Sequence, residues 1–270
     1  MMKHAWLIIA HNEFDILQRL VSLLDDERSD FFIHFDRKVK TLPAMYVEKG
    51  RLFVLENRVD VRWGSVSQIE AELVLLEEAL QKGPYAHYHI LSGTHLPLKP
   101  ADEIFAFYDS HGGEEVMRVW ADDPGDADFK IRRYHFPLGH YKYGSPAQRR
   151  LCQLAWQIVI KTQKVLGISH LEEYIFSKTD NWLSLSEEGC HYLVVHKDRI
   201  LRKYRWSFCG DEYFAASELK ASPTAFKIFD CQQLLYEEFQ KDTPRTFTLA
   251  DYPDLQATGY LWARKFTAQQ

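Results

Sequence analysis

Two adjacent carboxylates stand between a glycine and an aromatic, apolar run at Gly210-Asp211-Glu212-Tyr213-Phe214, and Glu212 is the leading candidate for a catalytic base. A glycine just ahead of Asp-Glu predicts a turn opening a helix, with Asp211 capping it and Glu212 projecting at the mouth of a cleft. Trp206, Phe208, Tyr213 and Phe214 would partly exclude water there, the setting a general base needs. Judged on spacing alone, an Asp-Glu at a helix start is more often a cap and dipole partner than a catalytic pair. Three bases close the chain among aromatics: Arg245, Arg264 and Lys265. Clustered bases near a terminus are usually solvated, and an anion site is the alternative reading.

Smaller constellations stand at the ends of predicted strands. His11 follows the apolar run that ends at Ala10, and Asp36 follows Phe31-Phe32-Ile33-His34-Phe35. An acidic side chain there could accept hydrogen bonds from a ribose or a uracil N–H, or could simply form a turn. Neither G-x-G-x-x-G nor G-x-x-x-x-G-K-[ST] follows the first strand, so phosphates must be held some other way. Trp63 and Ser65 precede a long helix, whose free N–H groups favour an anion or a sugar hydroxyl; Ser-x-Ser before a helix is otherwise a plain N-cap. Asp126-Ala127-Asp128 offers hard oxygen ligands to a divalent cation, but on an acidic loop rather than a strand end, so metal is not the favoured reading. Arg133 and Tyr134, with Tyr141-Lys142-Tyr143, suit sugar stacking plus hydrogen bonding as well as they suit surface packing. His87 and His89 project to one strand face and are expected to be packed rather than metal-bound.

The elements that must position these residues read as alternating strands and helices. Ala5 to Ala10 suits a central parallel strand, and Phe14 to Leu24 has helical spacing. Strands follow at 31–35, 51–55, 88–91 and 115–120, with helices from Gln68 to Leu80 and from Arg149 to Glu173. Trp182-Leu183-Ser184-Leu185-Ser186 reads as a strand leading into a helix capped by Ser186. A loop is expected at 121–128. This order predicts one α/β domain over residues 1–270, with a Rossmann-like first half. The formal charge of −5 argues against nucleic-acid binding. Cys152, Cys190, Cys209 and Cys231 lack any C-x-x-C spacing, which excludes the usual zinc and disulfide frameworks and points to reduced thiols in a cytoplasm. No run approaches the ~20 apolar residues of a membrane span, so a soluble protein is expected, with peripheral membrane association left open.

In order along the chain, Leu7-Ile8-Ile9-Ala10-His11, Ile33-His34-Phe35-Asp36-Arg37-Lys38, Trp63-Gly64-Ser65-Val66-Ser67 and Tyr88 to Leu98 form a pattern that continues downstream. It runs on through Asn181 to Ser186, Gly210-Asp211-Glu212-Tyr213-Phe214, and Leu261-Trp262-Ala263-Arg264-Lys265-Phe266. Seven motifs in register resemble the core-2/I-branching β-1,6-N-acetylglucosaminyltransferases, a family that includes peptide O-xylosyltransferases and bacterial relatives. The resemblance implies a GT-A-like mixed sheet flanked by helices, with residues 1–120 mainly nucleotide-binding and 121–270 mainly acceptor-binding and catalytic. It implies inverting transfer from a UDP-sugar, N-acetylglucosamine or xylose, to a carbohydrate acceptor, with no metal and no other cofactor. Glu212 maps onto the base, Arg245 and Lys265 onto the diphosphate cations, and Ala10, His11 and Asp36 onto the uridine contacts. Trp63, Ser65, Arg133, Tyr134 and Trp182 are candidates for sugar contacts. His95 stands where family members often have Asp. A compact chain without an anchor points to a bacterial enzyme of surface polysaccharide synthesis, cytoplasmic or at the inner face of the membrane. A glycoside hydrolase pairing Glu212 with Asp36 or Asp211, or a non-catalytic carbohydrate-binding protein, would be the alternatives.

Overall fold

The apolar run at the start of the chain becomes β1 (His4–Ala10), which is paired in parallel on both sides. A strand with parallel neighbours buries both faces, and so it reads as a continuous hydrophobic run. Its residues alternate between two cores: Ala5 and Leu7 join one, Trp6, Ile8 and Ala10 the other. The computed structural model describes residues 2–240 and 243–268. After β1 come α1 (Phe14–Leu24), β2 (Ser29–Phe35), β3 (Arg51–Val54), α2 (Ser67–Leu80), β4 (Tyr88–Ser92), β5 (Leu96–Pro97), α3 (Ala101–Ser110) and β6 (Glu115–Met117). The second half adds α4 (Pro124–Lys130), α5 (Pro146–Leu166), β7 (Ser184–Leu185), α6 (Glu187–Val195), α7 (Lys197–Lys203), α8 (Phe214–Lys220), β8 (Ile228–Asp230) and β9 (Leu235–Tyr236).

The main sheet has the order β3-β2-β1-β4-β7-β6-β8, parallel from β3 to β4 and then mixed, because β7 runs antiparallel to both β4 and β6. Helices α1 and α3 pack on one face and α2, α6 and α8 on the other, giving the α/β domain expected from the element order, a central mixed sheet flanked by helices. His89 joins the two halves of the sheet: its Nδ1 lies 2.7 Å from Ser184 Oγ on β7, and its ring stacks on Trp6 at 4.1 Å. Burial holds the His4 ring, 3.0 Å from His89, down at a pKa of about 4, so this histidine stack is neutral packing. Ser186 caps α6 by accepting from Gly189 N.

Three expectations about elements are corrected. The acidic stretch 121–128 is not a loop throughout: Asp123 accepts hydrogen bonds from Gly125 N and Asp126 N and starts α4 at Pro124. The strand expected to run to Trp120 ends at Met117, leaving an isolated bridge from Val119 to Thr179. The helix expected to reach Glu173 stops at Leu166, where Gly167 adopts φ 65°. All four cysteines are free and buried. Among the described residues no helix is long and apolar enough to cross a membrane.

The last segment closes the fold over the strand ends. Trp262–Ala263 pairs with β5 and β9 in a small second sheet, and Phe266 N donates to Thr94 O at 3.0 Å. Glu13, just beyond β1, accepts from Thr267 Oγ1 at 3.0 Å and Ala268 N at 2.9 Å. Residues 262–268 are therefore fixed across the carboxyl ends of β1 and β4, where ligands of open α/β sheets bind.

Candidate active site

The turn carrying Glu212 is built by two close approaches that only glycine permits. Gly64 has φ +77°, and a Cβ there would lie 2.8 Å from the Phe208 ring; a Cβ on Gly210 would lie 2.2 Å from Ser207 Oγ. Cys209 takes the left-handed conformation at φ 52° and donates its N–H to Gly64 O at 2.9 Å. The Trp63-Gly64 turn ahead of α2 is thereby joined to the Gly210–Glu212 turn. Gln68, on the first turn of α2, completes the joint by accepting from Gly64 N and donating to Asp211 Oδ2 at 2.7 Å.

Asp211 is therefore not a helix cap. It is 5 % exposed and turned inward to Gln68, while the helix that follows has no side-chain cap. Burial, with the Glu212 charge added, pushes the Asp211 carboxyl up to about 7. Its neighbour Glu72 is fully buried and held well above the usual carboxylate range, by burial first and the Asp211 charge second. A raised folded-state pKa makes stability greatest below the unfolded value near 4 and lost as pH rises through 7. Asp211→Asn should then match the wild-type stability near pH 4 and exceed it at pH 8 by on the order of a few kcal/mol, with a higher melting temperature there. Thermal unfolding at the two pH values checks this; equal melting at pH 8 would refute it.

Glu212 faces the other way, into a cluster of charges. Its Oε2 lies 2.7 Å from Lys130 Nζ on α4 and 3.7 Å from Lys178 Nζ. Asp126 shares both lysines, at 3.4 Å and 2.8 Å, and accepts from the Tyr213 hydroxyl at 2.5 Å. Of the aromatics expected to shelter it, Phe214 lies fully buried in the core and Tyr213 bonds Asp126 in the same cluster, and the lysines hold the carboxylate. Burial pulls the Lys130 pKa down, but Glu212 and Asp126 outweigh it and the net shift is upward, so Lys130 stays a cation.

Asp126 and Asp128, two apart on α4, point to different partners. Asp128 takes two hydrogen bonds from the Arg133 guanidinium at 2.8 and 3.0 Å. Among the described residues no group of three or more His, Cys, Asp or Glu could hold a metal ion. Arg133 and Tyr134 are likewise engaged away from Glu212. Arg133 also donates to Ile168 O, and Tyr134 stacks on His170 at 4.2 Å while its backbone exchanges two 2.8 Å bonds with Gln163. Tyr134 thereby ties to α5 through Gln163, and Arg133 ties to the segment just after it.

Lys265 lies at the strand ends beside His11. The His11 pKa is lowered by burial first, then by Lys265, with Asp36 opposing, which places these three side chains in one electrostatic neighbourhood. Asp36 accepts from Lys38 N at 2.8 Å and Lys38 Nζ at 2.6 Å, and Ala10 is buried alongside, its carbonyl accepting from Asp36 N. Half-buried Lys265 has no ion pair among the described residues, and burial and the Arg264 charge lower its pKa. Arg264 pairs with Glu237 at 2.6 Å and lies over Trp182, 4.8 Å from the ring centre, so Trp182 stands at this end of the cleft. His95 packs edge-on to Trp182, fully buried and held well below the usual histidine range by burial, then by Arg264.

Lys142 connects the two ends. Its Nζ sits 3.1 Å above the centre of the Trp63 ring, and its pKa is lowered by burial and by Lys265. Trp63 in turn meets Phe208 edge-on at 5.3 Å, while Ser65 Oγ is spent inside its own turn on Arg62 O and Ser67 Oγ. Arg245 hydrogen-bonds Glu238 Oε2 at 2.8 Å and Asp251 Oδ1 at 3.1 Å. Its chain neighbour Phe247 bonds through N–H to Lys265 O, so the two cations share one edge of the fold, although the Arg245 guanidinium is engaged by acids.

A turn with a buried floor and an outward carboxylate, together with a strand-end cation, Lys265, that has no ion pair among the described residues, is an arrangement suited to moving a group off an anionic carrier. The family model for Core-2/I-branching enzymes matches residues 4–224, which takes in the Glu212 turn. The chain belongs to the Core-2/I-branching enzyme family. It is thus a glycosyltransferase, with a sugar donor and a carbohydrate acceptor as its substrates. Mouse xyloside xylosyltransferase 1 in its apo form is a similar solved structure, at 10 % identity over 96 % of this chain and 97 % of that one, with a TM-score of 0.40. No curated protein matches the chain.

Within this Core-2/I-branching enzyme, Gln68, Lys130 and Lys178 are the site residues that the motifs did not reveal. Asp126 and Lys130, four apart on α4, carried a detectable helical-pair signal. Gln68 carried none, since its partner lies 143 residues away.

Proposed function

We propose that this Core-2/I-branching enzyme transfers N-acetylglucosamine or xylose from a UDP-sugar to a hydroxyl of a glycan acceptor, with inversion and without a metal, in surface polysaccharide synthesis at the cytoplasmic side of the membrane. Glu212 takes the proton from the acceptor hydroxyl as that oxygen attacks the anomeric carbon. The bond to the diphosphate breaks on the opposite face, and negative charge grows on UDP. The one observation that carries the reading is the position of Lys265, a half-buried cation with no ion pair among the described residues, set beside His11 at the carboxyl ends of the parallel strands. A fixed cation aimed at developing charge lowers a barrier because it needs no reorganisation during the reaction. Arg245 adds a bidentate grip if the diphosphate displaces Glu238 or Asp251. Asp126 and Asp128 are already neutralised by lysines and an arginine, which supports cationic side chains, rather than a divalent ion on the acidic stretch, as the diphosphate partners. A hydrolase using Glu212 with Asp211 is disfavoured because Asp211 faces Gln68 rather than the cleft.

A thermal-shift screen of UDP-sugars in EDTA tests the donor. A ligand at about 100 times its Kd adds about 2.7 kcal/mol, which raises the melting temperature of a chain this size by roughly 5–10 °C. One UDP-sugar should do so equally with and without EDTA. A shift seen only with manganese, or with no UDP-sugar at all, would refute the reading.

A further inference from the structure

The longest helix carries a face that the glycosyl-transfer chemistry does not use. Helix α5 is held to the body along one side: Cys152, Ile160 and Gln163 are buried, and Trp156 Nε1 donates to His135 Nδ1 at 3.0 Å. The opposite side exposes Leu151 (70 %), Leu154 (55 %), Ile158 (57 %) and Val165 (84 %), spaced by three, four and seven residues so that they form one stripe. Leu166 and, beyond the helix, Ile175 at 89 % are exposed as well. A surface helix ordinarily turns polar residues outward, and contiguous exposed apolar side chains mark an interaction surface.

Charge selects the partner. Residues 146–166 contain Arg149, Arg150, Lys161 and Lys164 and no Asp or Glu, in a chain whose formal net charge is −5. Arg150, Lys161 and Lys164 fall along one flank of the apolar stripe by helical spacing, and an open groove at the start of the helix is lined by Arg149 and Arg150. A second copy docking here would bring four more cations with no acid on the helix to pair them. A bilayer rich in anionic headgroups meets both demands at once: the aliphatic stripe enters the acyl boundary and the bases take the phosphates.

We propose that the outer face of α5 binds an anionic lipid bilayer, lying in its surface plane. On its inner side, opposite the docked face, α5 packs Trp156 on Phe208, two residues before the Gly210–Glu212 turn, so a docked helix would hold that turn near the bilayer and within reach of an acceptor carried by the membrane. The binding itself is independent of the donor chemistry proposed above.

Flotation of the full-length protein with vesicles of phosphatidylcholine alone, or of phosphatidylcholine with about 30 % phosphatidylglycerol, tests this. The protein should float with the anionic vesicles only and be released by 0.5 M salt. Leu151→Gln with Ile158→Gln should reduce binding at least tenfold, and Arg150→Gln or Lys161→Gln roughly fivefold each, at unchanged melting temperature since all four side chains are exposed. Three results would overturn the proposal: no flotation with anionic vesicles, equal flotation with both compositions, or a lipid-free dimer that the Leu151/Ile158 variant converts to monomer.

Discussion

Glu212→Gln should lower the rate of transfer by about 10²–10⁴-fold while leaving UDP affinity within about twofold of wild type. The amide keeps the shape of the side chain and an oxygen that can accept from Lys130, so the charge cluster around Asp126 and Lys178 stays assembled. What is lost is the site that receives the acceptor's proton. Without it the hydroxyl must attack as a neutral nucleophile, and the barrier rises by the full contribution of the base. Because the carboxylate faces away from Asp211 and the core, the variant should melt close to wild type, so a folding defect is separable from a chemical one. Steady-state rates with calorimetry of UDP binding decide the matter: full transfer activity in Glu212→Gln would remove this residue from the mechanism, and lost UDP affinity would make it a donor-binding group.

Lys265→Ala should cost about 10²–10³-fold in kcat/KM and weaken UDP binding as well. A cation that contacts the diphosphate in the ground state and meets more charge in the transition state contributes to both steps. The surroundings of Lys265 sharpen the expectation. Its pKa is pulled below the ordinary lysine value by burial and by Arg264, so the protonated, active form is lost at a lower pH than for a solvated lysine. The alkaline limb of the rate profile should therefore begin below the ordinary lysine range, and Lys265→Arg, which stays charged, should move that limb upward. Arg245→Ala should be milder, because Arg245 is more than a third exposed and already shared between Glu238 and Asp251. An alanine variant of Lys265 with wild-type rates and UDP affinity would contradict the assignment.

The parts of the fold legible in the sequence are those whose residues interact with near neighbours or share one periodicity. Phe14 to Leu24 was readable to the residue because Ile16, Leu17, Leu20, Val21 and Leu24 are all buried on one side. The apolar runs of β1, β2 and β4 were readable because parallel interior strands bury both faces. Gly210-Asp211-Glu212 is visible as a turn, but which carboxylate looks inward depends on Gln68, 143 residues earlier in the chain. Arg133 shows a related limit: it lies past the end of α4 at Lys130, and its bonds to Asp128 and Ile168 O are set by the turn after the helix, which no helical spacing describes. The end of α5 had a local signal in Gly167 that outweighs the helical pattern beyond it, since a left-handed glycine stops a helix whatever follows.

The most direct test is a crystal structure of the enzyme with UDP, grown in EDTA. The account predicts the β-phosphate within hydrogen-bond distance of Lys265 Nζ, the uracil against His11 and Asp36, and the Glu212 carboxylate open to the space beyond the β-phosphate. UDP bound elsewhere on the chain, or a diphosphate that settles only through a metal on Asp126, would contradict it.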